Sequence, residues 1–437
     1  VVAGLGLWLG LFGPAYATVI SWSNTGTDWA TGTNWTGSNV PVNDLTTDIA
    51  NFATATVTFQ PNLGASRSVA GIRFSNTAGA FTLSGTGGSV LTLGALGIDN
   101  QDNSLQTIAS TLALALGANA TFQATSSGAL AIASAVNNGG FLLTIAGSST
   151  GAGTLSGILS GSGGLTKSGT NTWTLSAANT FTGPVTIARG TLSINSLASV
   201  GAASSALGAP TTAADGTIAI GSGATAATLN YTGTGHTSDR VIDLAGTTGG
   251  ATLNASGASG ALVLTSALTA TGAGAKSLTL GGTGTGANTL AGAIVDSSGG
   301  ATSLIKTGAG NWVLTGANTY TGTTTVSGGA LHLSGSGAIS SANLLLNGGV
   351  LAMSGTFSRT LGTGTGQVQF GASGGGFAAY GGALSVGFAG TETWGDANFV
   401  PTGQALLFGS TLADNVVTWT SNFALGTAAR TITVNDN

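Results

Sequence analysis

Acid–base or nucleophilic chemistry in this chain must be built around two histidines, His236 and His332, because there are no others and there is no cysteine. A nucleophilic hydroxyl needs a base beside it and a third group to orient that base. Gly147-Ser148-Ser149-Thr150-Gly151 satisfies the Gly-x-Ser-x-Gly pattern of a nucleophile elbow, but an elbow stands between a strand and a helix and needs His and Asp partners. Among 76 glycines the pattern arises from composition alone. His332, between Leu331 and Leu333, falls at an outward-facing position of an alternating strand, and His236 falls in the turn YTGTGHTSD. Both read as solvated side chains.

The nearest approach to a charged cluster is His236, Asp239, Arg240 and Asp243, and a strand beginning there sends Asp239 and Arg240 to opposite faces. Arg240, Arg359 and Arg430 each precede an apolar alternation (RVIDL, RTLGT, RTITV). They read as charges at a strand's entrance that keep the turn wet and discourage lateral pairing. A glycosidase or lyase needs paired carboxylates or acids clustered with Arg or Lys, whereas the acids here are scattered singly. No catalytic residue is assigned, and the chain reads as non-enzymatic.

Structural calcium in solenoids is held by tandem Gly-Gly-x-Gly-x-Asp nonapeptides. The glycine-rich turns Gly282 to Gly286 and Gly362 to Gly366 carry Thr where that Asp belongs, so no metal site is expected. Phosphate-cradling fingerprints are missing from any strand-to-helix setting, and no cofactor is expected. Nine Lys and Arg in the whole chain are too few for a nucleic-acid footprint. Trp22, Trp29 and Trp35 cluster with Asp28, Asn34, Pro41, Asp44 and Asp48. They form either a glycan platform, since indole faces stack on apolar sugar surfaces, or a cap over the first turn of a solenoid, which otherwise exposes an unpaired edge.

The elements that carry these residues are set by a repeat. LTKSGTNTWTLSAANTFTGPVTIARGTLSI, from Leu165 to Ile194, returns as LIKTGAGNWVLTGANTYTGTTTVSGGALHL, from Leu304 to Leu333, with no gap. Equivalent positions include Lys167 and Lys306, Gly169 and Gly308, Trp173 and Trp312, Asn179 and Asn318, and Gly183 and Gly322. Apolar residues alternate with small polar ones in bursts too short for helices, separated by Gly, Asn, Ser and Thr, so each unit is strand, turn, strand, turn. The similarity continues upstream (LTIAGSSTGAGTLSGIL against LTLGGTGTGANTLAGAI), where the offset changes by about four residues through an insertion near Asp296 to Ala301 that a solenoid absorbs in a turn.

GGLTKSGTNTWTLSAANTFTG and SLIKTGAGNWVLTGANTYTG resemble the autotransporter-associated β-strand repeat, also called the passenger-associated transport repeat, of large secreted bacterial surface proteins. Phe181 stands for the usual Tyr in the first copy, and Ser303 and Ile305 loosen the opening of the second. The segments FSRTLGTGTGQVQF, GGFAAYGG, FVPTGQALLFGS and RTITVNDN look like stretches that accompany such repeats. The resemblance implies a parallel β-helix passenger, exported and displayed or released; with the Trp cluster, the expected fold is all-β, a right-handed parallel β-helix (β-solenoid) with a Trp-rich N-terminal cap. A rod with few charges and no site chemistry points to a structural or adhesive role, secreted or on the outer-membrane surface of a bacterium. A carbohydrate-binding or carbohydrate-active β-helix is the alternative.

Composition points the same way: charged residues make up 5% and Glu occurs once, at Glu392, which excludes long helices. Past the N-terminus no run of about 18 apolar residues occurs, so Thr, Ser, Asn and Gly form the surface. Residues 1–17 read as a truncated signal peptide ending in Ala15-Tyr16-Ala17, or else as a buried first strand or capping segment of the mature fold. Residues 18–60 read as the cap region and 61–437 as β-helical repeats continuing beyond Asn437. Any membrane contact is expected through an anchor outside this stretch. Turns of about 20 to 25 residues predict about 17 to 21 turns and a rod on the order of 80 to 100 Å. Expected partners are surface glycans or host-matrix ligands, and a second copy through head-to-tail association at an open end.

Overall fold

Parallel pairing of each strand with one a full turn further along the chain is the organising contact of the molecule. A computed structural model describes residues 17–148, 150–388 and 391–435. The expected signal peptide therefore lies outside the described residues except for Ala17. Every ladder between strands is parallel, as in Leu143↔Leu165 and Leu165↔Val185. The strands form sheets of 13, 14 and 10 members and a two-stranded addition. Together they make a β-solenoid of about 16 turns with almost no helix. That is slightly fewer turns than expected, because turns run from about 20 residues (Leu165↔Val185) to about 37 (Gly190↔Ala227).

Alternation decides what is inside. Leu143, Leu165, Val185, Ile218 and Ile242 lie in one register column of the first sheet, each at most 1% exposed. Burying each such side chain contributes about 1.5–3 kcal/mol relative to leaving it in water. Between them, outward-facing threonines stack in register: Thr121, Thr144, Thr166 and Thr186 on the first sheet. Thr172, Thr191, Thr228, Thr252 and Thr279 do the same on the second. Aliphatic columns with single buried rings such as Phe122, Trp173, Tyr231 and Trp312 fill the middle of the rod, and clusters of aromatic rings fill both ends.

At the N-terminal end Thr18–Ser21 already pairs with Asp48–Phe52, so the expected cap region contributes the first strands of the solenoid. At the other end Phe357, Phe370, Phe377, Phe388, Phe399 and Trp419 form a ring-to-ring cluster that the sequence reading did not anticipate. The insertion at Asp296 to Ala301 bulges as expected. Ser297 and Gly300 bridge across it, and Asp296 accepts bonds from the Thr302 and Thr321 amides at 2.7 and 3.0 Å.

The two repeat copies do not occupy the same sheets. In the first, Leu165–Lys167 and Val185–Ile187 lie in the first sheet, with Thr172–Leu175 and Gly190–Ile194 in the second. In the second, Thr302–Lys306 and Thr324–Val326 lie in the second sheet, with Asn311–Leu314 and Ala330–Leu333 in the third. Between the copies, turns carrying three strands each, such as Ile218–Ile220, Ala227–Tyr231 and His236–Ser238, shift the motif by one face.

Candidate functional site

The repeat's own residues form the best-defined polar constellation, and its chemistry is that of a clip. Strand alternation in Leu-x-Lys sends the lysine inward, into an aliphatic column: Ile145, Lys167, Ile187 in one copy and Leu280, Lys306, Val326 in the other. Both lysines are 0% exposed. A buried ammonium is tolerated only when its protons are taken up. Lys167 Nζ donates to the carbonyls of Ser168, Gly169 and Arg189, the last at 3.1 Å on the following turn. Lys306 Nζ donates likewise to Thr307, Gly308 and Gly328. Burial, with Arg189 adding to the effect at Lys167, pushes both ammonium groups down to about 8.

The other matched positions do equivalent work in both copies. Trp173 and Trp312, each 0% exposed, donate their indole N–H to Ala146 and Gly281 on an earlier turn, at 2.9 and 2.8 Å. Asn179 accepts from the Leu159 amide and donates to Ala206 O, both at 2.8 Å, so one side chain ties the preceding and following turns. Asn318 does this with Ile294 and Ala338. Gly169 and Gly308 take φ of 73° and 66°, and a methyl on either would sit 2.3–2.4 Å from the carbonyl of Gly147 or Gly282. Gly183 and Gly322 similarly abut Gly163 and Thr302 backbone. Lys276 repeats the lysine clip outside the repeat, donating to Leu244, Gly246 and Gly272. The sequence reading missed it, although its alternation with Leu278 and Leu280 in the strand Lys276–Gly281 is a signal that places it inward.

The glycan-platform reading of Trp22, Trp29 and Trp35 gives way to the cap. The three are 2%, 3% and 1% exposed, because Trp35 packs edge-on against both others with centroids 4.9 and 4.8 Å apart, above Phe52. No ring face among them is left for a sugar. Nearby acids and amides hold the cap's turns: Asp28 accepts from the Ala30 amide and Asp48 from the Val42 amide, and Asn34 Nδ2 donates to Asp28 O.

The expected solvated charges are also corrected. Arg240 is 1% exposed, and its guanidinium donates to Gly216 O and Leu207 O at 2.7 Å across the long turn before it. Arg359 donates to Ala342 O and Ser340 O, and Arg430 to Leu425 O and Trp394 O. Arg240 and Arg430 stand just before strands, whereas Arg359 follows Val350–Phe357, and each reaches backbone carbonyls of the turns beside it. Asp239 and Arg240 do diverge: Asp239 faces solvent and accepts from the Val200 amide. His236 opens a strand, half-buried, 2.6 Å from the Tyr231 hydroxyl. Asp243 is engaged by Thr269 and Thr271. His332 faces outward but is fully buried. Gly147 ends a strand and the next element is the strand Gly153–Leu155; Ser149 lies outside the described residues. Among the described residues no three His, Asp or Glu come together as metal ligands would.

A parallel β-solenoid whose turns are clipped by buried Lys, Asn and Trp is the class of architecture these observations define. The clip-bearing stretches, residues 165–194 and 304–333, match the family model described as Passenger-associated-transport-repeat. Over 55 residues the chain is 47% identical to "Adhesin BmaC autotransporter" of Brucella suis biovar 1 (strain 1330). That match covers 13% of this chain and 2% of that protein. No solved structure matches the chain.

Proposed function

We propose that this chain is a rod segment of a secreted or surface-displayed β-helical passenger of an autotransporter-like bacterial protein, and that it acts by adhesion or spacing rather than by catalysis. The observation that carries the reading is the pair of passenger-associated transport repeats built into a continuous solenoid with the same clips in each copy. Two physical features support it. The surface is hydroxyl and amide rather than charge, with a formal net charge of −4 over 437 residues, which suits contact with neutral host-matrix or glycan surfaces. Each stacked turn adds only about 4.8 Å, so long sequence is converted into reach.

Beads coated with the purified chain should adhere to cultured epithelial cells or immobilised matrix proteins above beads coated with an unrelated β-solenoid. Equal adhesion of the two would remove the adhesive part and leave a spacer. Fused to a translocator barrel, the chain should become cleavable by protease on intact cells. Full protection there would sink the display reading.

A further inference from the structure

Outside the solenoid's interior lies a second, smaller apolar cluster, on the outer face of the third sheet. Ala330, Val350, Ala352 and Ala378 are at most 3% exposed there, although alternation turns them away from the core lined by Leu331, Leu351 and Phe377. They are covered by side chains of neighbouring strands and by residues 409–416, the link between the strands Ala405–Phe408 and Val417–Trp419. Ala413 from this segment, Leu407 and Tyr380 pack on the cluster. At the segment's two ends the Gly409 amide donates to Phe377 O at 3.1 Å and Val416 O accepts from the Leu384 amide at 3.0 Å. Thr411 Oγ1 accepts from Asn311 Nδ2 at 2.7 Å, the Asp414 amide donates to Ala379 O at 3.2 Å, and the Gly381 amide donates to both Asp414 carboxylate oxygens at 2.9 and 3.0 Å.

His332 lies in this cluster. Its ring is 0% exposed and meets Tyr380 edge-on, with centroids 4.6 Å apart. Its Nε2 is 3.4 Å from Asn311 Oδ1, a long contact, and its Nδ1 is buried with no hydrogen-bond partner among the described residues. The same Asn311 holds Thr411, so the imidazole and the covering segment share an anchor. The charged groups that act on the ring are Lys306, which opposes a positive charge on it, and Asp414 of the covering segment, which favours one; Tyr380 is the titratable group in contact. A second proton on this ring would have no acceptor at Nδ1 while the cover is in place, and would be hydrated once it lifts.

We propose that residues 409–416 form an acid-released strap, and that protonation of the buried His332 beneath it is what frees it. Release bares an apolar strip on the outer face of the third sheet without disturbing the stacked turns. The sign follows from the burial. Burial first, and then Lys306, push His332 down to about 4, against the opposing pull of Asp414. An imidazole in water titrates near 6.5. Between those values the open form binds the proton and the closed form does not. Closure is therefore fully favoured above about pH 6.5 and is lost progressively as pH falls toward 4, by on the order of a hundredfold in the closed-to-open ratio.

Hydrogen exchange on the full chain tests this, with intrinsic rates corrected for pH. Protection of the Asp414 and Gly381 amides, which bond across the contact, should fall about a hundredfold between pH 7 and pH 4, while Leu165–Lys167 amides stay protected. In His332→Leu the strap should remain protected throughout. A wild-type strap that stays closed at pH 4, or an equal loss in His332→Leu, overturns the proposal. Proton NMR of the wild-type chain, with His236→Gln separating the two imidazoles, gives an independent reading. His332 should titrate near 4, and an ordinary imidazole titration under a protected strap also overturns it.

Discussion

Lys167 and Lys306 occupy positions where their register neighbours are Ile, Leu and Val, and they do so without a carboxylate. Each is tolerated because three carbonyls converge on the ammonium at the end of its strand, one of them from the next turn. Replacing either by Met keeps the apolar stem but leaves those carbonyls unpaired in a dry site. Lys167→Met and Lys306→Met should each lower the unfolding free energy by about 2–4 kcal/mol, read from urea denaturation. The paired asparagines differ in burial, Asn179 being 0% exposed and Asn318 half-buried. Asn179→Ala should then cost about 2 kcal/mol and Asn318→Ala about 1, and the reverse order would contradict the clip as described. In the sequence the alternation of Leu-x-Lys already sends the lysine inward. Its three acceptors were not legible, because one of them, on Arg189 or Gly328, comes from the following turn.

At the scale of elements, the close approach of successive turns restricts residue size more than residue polarity. A methyl on Gly153 would stand 2.1 Å from the Trp173 ring, which lies directly over it in the ladder. Gly87 takes φ of 63° with nothing within 4 Å of an added methyl. Gly153→Ala should cost about 1–3 kcal/mol by displacing the indole, with a shift in tryptophan emission, and Gly87→Ala about 1 kcal/mol from backbone strain alone with no such shift. Matching losses and unchanged emission would mean the ring does not pack as described. Strand existence, inward and outward faces and the turn glycines were readable from period-two alternation. The sheet to which each strand belongs was not, since its partner lies about 20 to 37 residues away and turn length varies along the chain.

For the molecule as a whole, about 16 turns at about 4.8 Å each give a rod near 80 Å long. A globule of the same length of chain has a diameter of roughly 60 Å. Small-angle scattering should return a skewed distance distribution with a maximum of about 80–90 Å, and a symmetric distribution ending near 60 Å would defeat the solenoid. Aromatic rings cluster at the two ends, around Trp35 and Phe377, whereas between them they occur singly among aliphatic columns, as at Phe122, Trp173, Tyr231 and Trp312.

Taken by itself, the sequence determined that the chain coils into short parallel strands, which side chains enter the core, and that one clip-bearing unit occurs twice. Those follow from local alternation and from steric limits on glycine, which act within a few residues. Only the tertiary structure decided that the two copies sit one face apart, that Arg240 is buried, that Trp22, Trp29 and Trp35 pack together at the end of the rod, and that His332 is buried although it faces outward. These depend on how three-strand turns shift the frame and on which distant segment folds back over an outer face. No local pattern carries that information, because an outward position has the same spacing whether water or another part of the chain lies above it.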